Sequence, residues 1–384
     1  MTEFVRCDKI YNVKYKRVKN KKERSERMKF VHIADLHLDS PFTQLSEKGN
    51  LGEIRRIEQR NALKKVIKYC KENEIEYLFI AGDLYEHDYV KKTSIDYINS
   101  LFNEIPNTKI FITPGNHDPF LKNSIYNNYY FAKNVYVFKD SKLEKYEDEK
   151  INLYGAAFTE FYQNESQLED FVLPESNKLN ILLLHCDLNG SKDKEGLSYN
   201  PILETKIKNL KFDYTALGHI HKTNYEAGKN IIYPGSLISF GFDELGNHGM
   251  VVGEFKDKTL TTEFITIDER KFAELEIDVS DFNTKEDIID KINSKELDNN
   301  TMYKVVLTGK RKFNIDAKEI LDLILEENIL KVKDNTELSY DLEKISKENS
   351  LRGIFVKNVL KKLERKEISN EDAEKAIELG LEVM

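Results

Sequence analysis

Five short segments of the chain carry side chains that commonly bind metal ions, and each follows an apolar run of strand length. They contain Asp35 with His37, Asp83, Asn116 within the stretch 115–118, His185, and His219 with His221. Ligands of the Asp, Asn and His type, without cysteine, suit manganese or iron better than a structural zinc site built from thiolates. We therefore expect a divalent metal centre, with manganese or iron preferred to zinc.

The number of these ligands indicates more than one ion. Two ions that share one carboxylate would use the whole set, and such pairs, about 3.5 to 4 Å apart, are a standard device for hydrolysing phosphate esters. They polarise the phosphoryl oxygen, lower the pKa of a bound water and neutralise developing charge. The predicted metal ligands are Asp35, His37, Asp83, Asn116, His185, His219 and His221.

The spacing within two of the motifs predicts how they present their ligands. In an extended segment residues i and i+2 point to the same side. Asp35 with His37, and His219 with His221, are therefore expected to direct two ligands each into one site. Cys186, next to His185, is expected to point away from it as a buried thiol.

The elements that position these ligands follow from the apolar runs between the motifs. Runs rich in β-branched and aromatic residues predict strands buried on both faces, separated by helical patterns such as 53–73. Loops at the carboxyl ends of such strands are where α/β sheets bind ligands. The sequence predicts a layered α/β domain. The predicted strands are 30–34, 77–81, 109–114, 151–156, 179–185 and 212–217, then 231–233, 250–255 and 261–267.

The rest of the chain divides into regions that differ in charge and in predicted secondary structure. Residues 1–27 form a basic extension, with eight basic residues between Lys14 and Arg27, which is either a solvated tail or an arm for nucleic acid. The catalytic domain is expected over 28–268, and a small α/β unit over 269–335. Residues 336–384 are charged and helical, with an apolar stripe from Leu351 to Leu363.

Composition excludes several classes of protein. The 384 residues carry a formal charge of −8, which argues against binding that depends mainly on electrostatic attraction to nucleic acid. No apolar run approaches the roughly 18 residues that a membrane span needs. Three widely spaced cysteines and the absence of a signal-peptide pattern indicate a cytoplasmic protein.

The ordered motifs D-x-H, G-D, G-N-H-D, H and G-H-x-H resemble those of the calcineurin-like metallophosphoesterases over about residues 28–240. More narrowly, the stretches 35–42, 81–85, 115–119 and 233–236 resemble the SbcD-like and YhaO-like bacterial DNA repair exonucleases. The resemblance implies a four-layer α/β/β/α sandwich with a small α/β capping domain over 269–335 that helps to bind DNA. It also implies C-terminal helices that bind a partner.

Site roles are implied by the same resemblance. The first metal would be held by Asp35, His37, Asp83 and His221, and the second by Asn116, His185 and His219, with Asp83 shared between the two. His117 would protonate the leaving oxygen, and Asp118 would orient its ring.

One position departs from the family pattern. Related nucleases often carry a histidine three residues after the bridging aspartate, where this chain has Glu86 followed by His87. His87 either substitutes for that histidine or is a polar loop residue. His32 and His248 are interpreted as structural.

Contacts with DNA and with partners are less well marked by the sequence. The tyrosines near residue 126 either stack on bases or belong to the core. The apolar stripe 351–363 either binds an SMC-like (SbcC-like) coiled-coil ATPase or packs on the capping domain. A homodimer is a further alternative. The candidate phosphate contacts are Lys91, Lys92, Lys122, Lys222, Lys310, Arg311 and Lys312.

The metal motifs together with this resemblance imply a manganese-dependent DNA exonuclease of DNA repair, with endonuclease action as an extension. The first alternative is a phosphodiesterase or phosphatase for nucleotides or other small phosphate esters, because the metal motifs alone do not choose a substrate. The second alternative is a non-catalytic partner of an SMC-like ATPase. The residues after 268 argue against a small-molecule phosphatase.

Overall fold

The computed structural model describes residues 27–46, 50–190, 196–311, 313–338 and 342–382. The predicted basic extension, apart from Arg27, and the predicted contact Lys312 lie outside the described residues. The elements, in chain order, are β1 (Arg27–Ile33), α1 (Thr43–Ser46), α2 (Leu51–Glu72), β2 (Tyr77–Ile80), α3 (Lys92–Asn103), β3 (Lys109–Ile112), α4 (Ile125–Asn128), β4 (Val135–Val137), β5 (Glu144–Glu147), β6 (Ile151–Gly155), β7 (Leu179–His185), β8 (Asp187–Leu188), β9 (Pro201–Ile202), α5 (Glu204–Leu210), β10 (Tyr214–Gly218), β11 (Ile231–Ile232), β12 (Gly249–Lys256), β13 (Thr259–Thr266), β14 (Lys271–Asp278), α6 (Lys285–Asn293), β15 (Thr301–Thr308), β16 (Lys310–Arg311), α7 (Ala317–Leu323), β17 (Ile329–Asp334), β18 (Glu337–Leu338), α8 (Leu342–Ser346), α9 (Leu351–Glu364) and α10 (Asn370–Glu382).

Two mixed sheets form the centre of the molecule. The first has the strand order β13-β12-β1-β2-β3-β4, and the second has the order β11-β10-β7-β6-β5. Strands β1 to β4 run parallel to one another, as do β6, β7, β10 and β11, while β12 and β5 pair antiparallel with their neighbours. Parallel pairing brings the carboxyl ends of the central strands to one edge of each sheet.

Three apolar cores hold the layers together. Aromatic side chains of the first sheet, including Phe30 and Phe79, pack between the sheets against Leu153 and Ile181 of the second. Helices α2 and α3 cover the outer face of the first sheet, and α5 covers that of the second. The predicted four-layer α/β/β/α arrangement is confirmed.

Most predicted strands and helices agree with the structure to within a few residues. The prediction 179–185 coincides with β7, and the helical pattern 53–73 corresponds to α2. The apolar spacing of this helix predicts Ile57 on one face with Leu63 and Val66, which is wrong for Ile57, because this residue is 53% exposed. In its place Arg55 and Gln59 are buried on α2, since their polar atoms bond loops at the site end of the sandwich.

The residues after 268 form a further layered unit. Strands β14, β15 and β17 make a parallel sheet that shares its own apolar core with α6 and α7. The guanidinium of Arg55, fully buried, bonds both Asp268 oxygens at 3.1 and 2.9 Å and the Ser239 carbonyl at 2.6 Å. This arginine thus joins α2, the loop after β11 and the residue that leads into the unit.

The C-terminal helices α8, α9 and α10 pack on one another around a small core. The sequence Ser369-Asn-Glu-Asp predicts a cap for the last helix, and Ser369 does accept a hydrogen bond from the Asp372 N–H at 3.1 Å. Among the described residues, none of the helices combines the length and apolar character that crossing a membrane requires. The domain boundaries at 268 and 335 stay predictions.

Candidate metal centre

The structure brings all seven predicted metal ligands to one place. Three of the five segments follow strands of the first sheet, β1, β2 and β3, and two follow β7 and β10 of the second. All five lie at carboxyl ends of strands, so the ligands meet where the site edges of the two sheets adjoin. A bridge between Ala34 and Ser236 holds the loops after β1 and β11 together at this edge.

The ligand atoms form two adjoining groups with Asp83 between them. In the first group, His37 Nε2 lies 2.9 Å from His221 Nε2, and ligand atoms of Asp35, His37 and His221 lie within 4.8 Å of one another. In the second group, His185 Nε2 lies 2.9 Å from Asn116 Oδ1, which lies 3.3 Å from His219 Nδ1.

Asp83 is placed to serve both groups. Its Oδ2 lies 3.5 Å from His37 Nε2 and 3.3 Å from His185 Nε2. Burial raises the pKa of the Asp83 carboxyl, but the charges of His185 and His37 outweigh this effect and hold the pKa well below its ordinary value. Asp83 is therefore an anion, as a shared ligand must be.

The hydrogen-bonding pattern of the first group fits a cation between its imidazoles. In the neutral form that binds a metal, an imidazole carries one hydrogen, and the Nδ1 atoms of His37 and His221 would donate theirs to Glu86 at 2.8 Å and Glu244 at 2.5 Å. The two Nε2 lone pairs then face each other. A divalent ion stabilises such a pair of facing acceptors.

The second group shows the same pattern independently. His185 Nδ1 donates to the Ala81 carbonyl at 2.9 Å, so in the neutral form that binds a metal the Nε2 lone pair would face the Asn116 oxygen. A carbonyl oxygen can only accept, which fixes the tautomer of His185. The residues present thus suit a metal ion at each of two positions.

The backbone at the ligands is strained, contrary to the predicted extended geometry. Asp35, His37, Asp83 and His219 have φ values of 52°, 46°, 52° and 103°, in the left-handed region that costs a non-glycine residue on the order of 1 to 3 kcal/mol. The prediction that i and i+2 ligands project from one face of an extended segment is therefore wrong at Asp35 and His37. Their N–H groups instead bond the carbonyls of Gly82 and Asp83 at 3.1 and 2.8 Å.

Two glycines of the motifs are required by close approach. Gly82 has a φ of 89°, and a Cβ there would lie 2.3 Å from His185 Nδ1. A Cβ at Gly115 would lie 2.3 Å from Asp83 Oδ1. The glycine before each ligand loop thus leaves room for a ligand from another segment.

His117 lies at the mouth of the centre, with its side chain 46% exposed. Its Nδ1 donates to Glu86 Oε2 at 3.0 Å. Burial lowers the pKa of His117, but the hydrogen bond to Glu86 and the charge of Asp83 outweigh it and raise the pKa to about 9. The ring therefore holds a proton near neutral pH.

The prediction that Asp118 orients His117 is corrected by these contacts. Asp118 is fully buried, and its oxygens accept hydrogen bonds from the N–H groups of Asp83, Leu84 and Gly115 and from the Tyr126 hydroxyl. Its carboxylate organises the two ligand loops, and Glu86 occupies the orienting position. Tyr126 is thereby a core residue, which is the second of the two alternatives for the tyrosines near this position.

Glu86 and Glu244 are functional residues that sequence reasoning missed or left open. Burial raises the pKa of Glu86, but hydrogen bonds from His117 and His37 lower it to about 2, so it is ionised. Burial also raises the pKa of Glu244, and the bond from His221 outweighs it. No local pattern marks either residue, because each partner lies more than twenty positions away along the chain.

The remaining histidines have structural surroundings. His32 contacts the Tyr214 hydroxyl at 3.0 Å, and His248 contacts the Glu244 carbonyl at 2.8 Å. The His87 N–H bonds the His117 carbonyl at 2.9 Å, while its ring packs edge-on against Phe161. His87 thus supports the loop that carries His117.

The predicted DNA contacts are scattered around the centre. Lys91, Lys92, Lys122, Lys222 and Lys310 are exposed, and Lys222 directly follows the ligand His221. Arg311 is partly buried, with its Nε 4.0 Å from Asp334. Their contacts with DNA stay a prediction.

Four layers with Asp, Asn and His ligands gathered at strand ends of both sheets define a site of the metallophosphoesterase type. The calcineurin-like phosphoesterase family matches residues 28–223, just over half of the 384 residues. The chain therefore belongs to the calcineurin-like phosphoesterases, as its motifs predict, and this family implies hydrolase activity with divalent metal ions.

Relatives extend the similarity beyond that region. The chain is 24% identical over 286 residues to the uncharacterized metallophosphoesterase YhaO of Bacillus subtilis strain 168, covering 69% of this chain and 68% of YhaO. It is 26% identical over 314 residues to the SbcD subunit of the nuclease SbcCD of Staphylococcus epidermidis, covering 72% of this chain and 79% of that relative. The crystal structure of TT1561 from Thermus thermophilus aligns over 63% of this chain and all of that chain, with 11% identity and a TM-score of 0.36.

Proposed function

We propose that the protein is a metal-dependent nuclease that hydrolyses phosphodiester bonds of DNA, acting as an exonuclease in DNA repair. The observation that carries the proposal is the arrangement of seven ligands in two groups that share Asp83, with the protonated ring of His117 at their exposed mouth. DNA as the substrate is supported by the similarity to the Staphylococcus epidermidis nuclease subunit, which covers 72% of this chain.

The ligand groups assign the metal positions. Asp35, His37, Asp83 and His221 would hold one divalent ion, and Asp83 with Asn116, His185 and His219 would hold a second. Such a pair supplies Lewis-acid activation of the phosphate ester and of a nucleophilic water when it is bound. Manganese is the proposed metal, because carboxylate, amide and imidazole ligands without thiolate suit it.

The chain's own residues supply the proton for the leaving group. Glu86 holds His117 Nδ1, which leaves Nε2 as the nitrogen that donates to the leaving sugar oxygen. A donor within hydrogen-bonding reach contributes typically 10² to 10⁴-fold to such a step. Asp118 maintains the loop that carries His117 by accepting the Gly115 N–H at 2.7 Å.

The C-terminal helices are proposed to bind an SMC-like coiled-coil ATPase. The name of the Staphylococcus epidermidis relative describes one subunit of a complex, and α9 exposes Leu351 and Ile354 at 72% and 58%. Removing residues 336–384 is expected to abolish co-purification with the ATPase while manganese-dependent hydrolysis persists. Retained association would contradict this role.

A direct assay tests the function. Purified protein is incubated with Mn²⁺ and either end-labelled linear DNA or a chromogenic phosphodiester, beside the His117→Ala and Asp83→Asn variants. We expect the wild type to hydrolyse both substrates and both variants to lose activity on DNA. Hydrolysis of the chromogenic diester alone would indicate a phosphodiesterase for small esters, and unchanged variants would contradict the assigned site.

A further inference from the structure

Two glutamates outside the ligand set distinguish the two metal positions. Glu86 accepts the Nδ1–H of His37 at 2.8 Å, and Glu244 accepts that of His221 at 2.5 Å. Both imidazoles belong to the position that Asp35 completes, which we call the first position. At the other, second position, His185 donates instead to the neutral backbone carbonyl of Ala81 at 2.9 Å.

The charge around the two positions differs accordingly. The first position has Asp35 and the shared Asp83 as ligands, with Glu86 and Glu244 each bound to a ligand imidazole. The second position has the shared Asp83 and the neutral amide of Asn116, and Asp187 acts on His219 electrostatically. Carboxylates bound to ligand imidazoles make the imidazole a stronger ligand and fix its orientation.

Both glutamates are held in place by further contacts. Glu86 uses its second oxygen to bind His117 at 3.0 Å, and its side chain is only 17% exposed. Glu244 Oε2 accepts the Phe240 N–H at 3.0 Å and the Ser236 hydroxyl at 3.3 Å. Both carboxylates are therefore fixed before any metal arrives, and binding does not have to order them.

We propose that Glu86 and Glu244 are positioning residues that make the first position bind a divalent cation more tightly than the second, so that the two positions fill in sequence. This inference rests on the two-metal centre proposed above, and it does not depend on DNA being the substrate. Glu86 has a second role in this arrangement. Its carboxylate binds both His37, a ligand of the tighter metal position, and the ring of His117.

Calorimetric titration of metal-free protein with MnCl₂ tests this inference. We expect two binding steps of different affinity for the wild type. Glu86→Gln and Glu244→Gln keep the side-chain shape but remove the charge, and each is expected to weaken the tighter step by about 10 to 100-fold. The weaker step is expected to change much less. Glu160→Gln, at an exposed residue, removes the same charge and is expected to alter neither step.

The outcomes separate this inference from the proposed centre. Two wild-type steps of equal affinity, or variants that weaken both steps equally or neither, would overturn the role of the two glutamates. Wild-type protein that binds no Mn²⁺ would overturn the metal centre together with it. Glu86 and Glu244 lie in separate loops, so a variant that unfolds more easily can be set aside and the other used. The variant used must have the melting temperature of the wild type in the presence of chelator.

Discussion

Asp118 Oδ1 accepts a hydrogen bond from the backbone N–H of Asp83 at 3.0 Å, so one buried carboxylate holds the backbone of the residue that the two proposed metal positions would share. The same carboxylate also binds Leu84, Gly115 and the Tyr126 hydroxyl. The G-D and G-N-H-D motifs are therefore one structural unit, built around the aspartate that ends the second motif.

Asp118→Asn is expected to destabilise the fold. One acceptor oxygen becomes an NH₂ donor that faces other donors, and an unsatisfied buried polar group costs about 1 to 3 kcal/mol. Chemical denaturation in chelator is the measurement. Tyr126→Phe removes one donor without introducing a clash and is expected to cost less than Asp118→Asn. Equal unfolding free energies for Asp118→Asn and the wild type would contradict the role of this carboxylate.

Glu86→Gln is expected to change the pH dependence of hydrolysis. A carboxylate beside His117 favours the protonated ring, so its removal lowers the pKa of His117 by about one unit. The acid form is then lost at lower pH, and the alkaline limb of kcat against pH shifts to lower pH. The measurement uses the chromogenic diester at saturating Mn²⁺. Glu160→Gln is the control, and an alkaline limb that stays in place would contradict the assignment.

Gly115→Ala is expected to disturb the shared ligand without a change of charge. The new methyl group would lie 2.3 Å from Asp83 Oδ1 and 2.9 Å from the Asp83 nitrogen, so the carboxylate must move. A displacement of about 1 Å at a catalytic group can cost roughly 10²-fold in rate. The metal content of the purified protein and its rate of diester hydrolysis are measured on the same preparation. Gly241→Ala, where no heavy atom lies within 4 Å of the added methyl group, is expected to retain both.

Phe161→Ala is expected to lower activity on DNA more than activity on a small diester. The ring is 45% exposed and packs against His87, whose backbone N–H bonds the His117 carbonyl, so it lies near the loop that carries the acid. Stacking of a base on an aromatic ring contributes about 1 to 3 kcal/mol, which predicts about a tenfold loss of kcat/KM on DNA. Val172→Ala, at a residue 77% exposed on another loop, is the control. An equal loss on both substrates would argue against base stacking.

His32 is expected to make the fold sensitive to acid. Burial lowers its pKa from the ordinary value to about 3, so below pH of about 6.5 the unfolded chain takes up a proton that the folded chain does not. Stability is therefore lost as the pH falls, by about 2 kcal/mol between pH 7.5 and pH 5. His32→Gln, compared with wild type by denaturant unfolding in chelator, is expected to flatten this dependence. Identical slopes for the two proteins would exclude His32 as the cause.

The layers and the ligands could be predicted from sequence because both depend on local patterns. A buried parallel strand such as Leu179–His185 is an apolar run, and its ligand directly follows or ends it. The left-handed backbone at Asp35 and His37 could not be predicted, since it depends on bonds to the loop after β2. The contacts of Glu86 and Glu244 also depend on tertiary packing. The family resemblance implies that Asp118 orients His117, whereas the fold directs this carboxylate to the backbone of Asp83, Leu84 and Gly115.

The buried guanidinium of Arg55 determines how the unit that begins at β14 can move. A movement of that unit that displaces Asp268 would separate the guanidinium from its buried acceptors, and breaking a buried ion pair costs about 3 to 5 kcal/mol. Rotation at this point is thus disfavoured by a factor above about one hundred. Because the Ser239 carbonyl binds the same guanidinium, a force applied to the unit would be transmitted to the loop that orients His221.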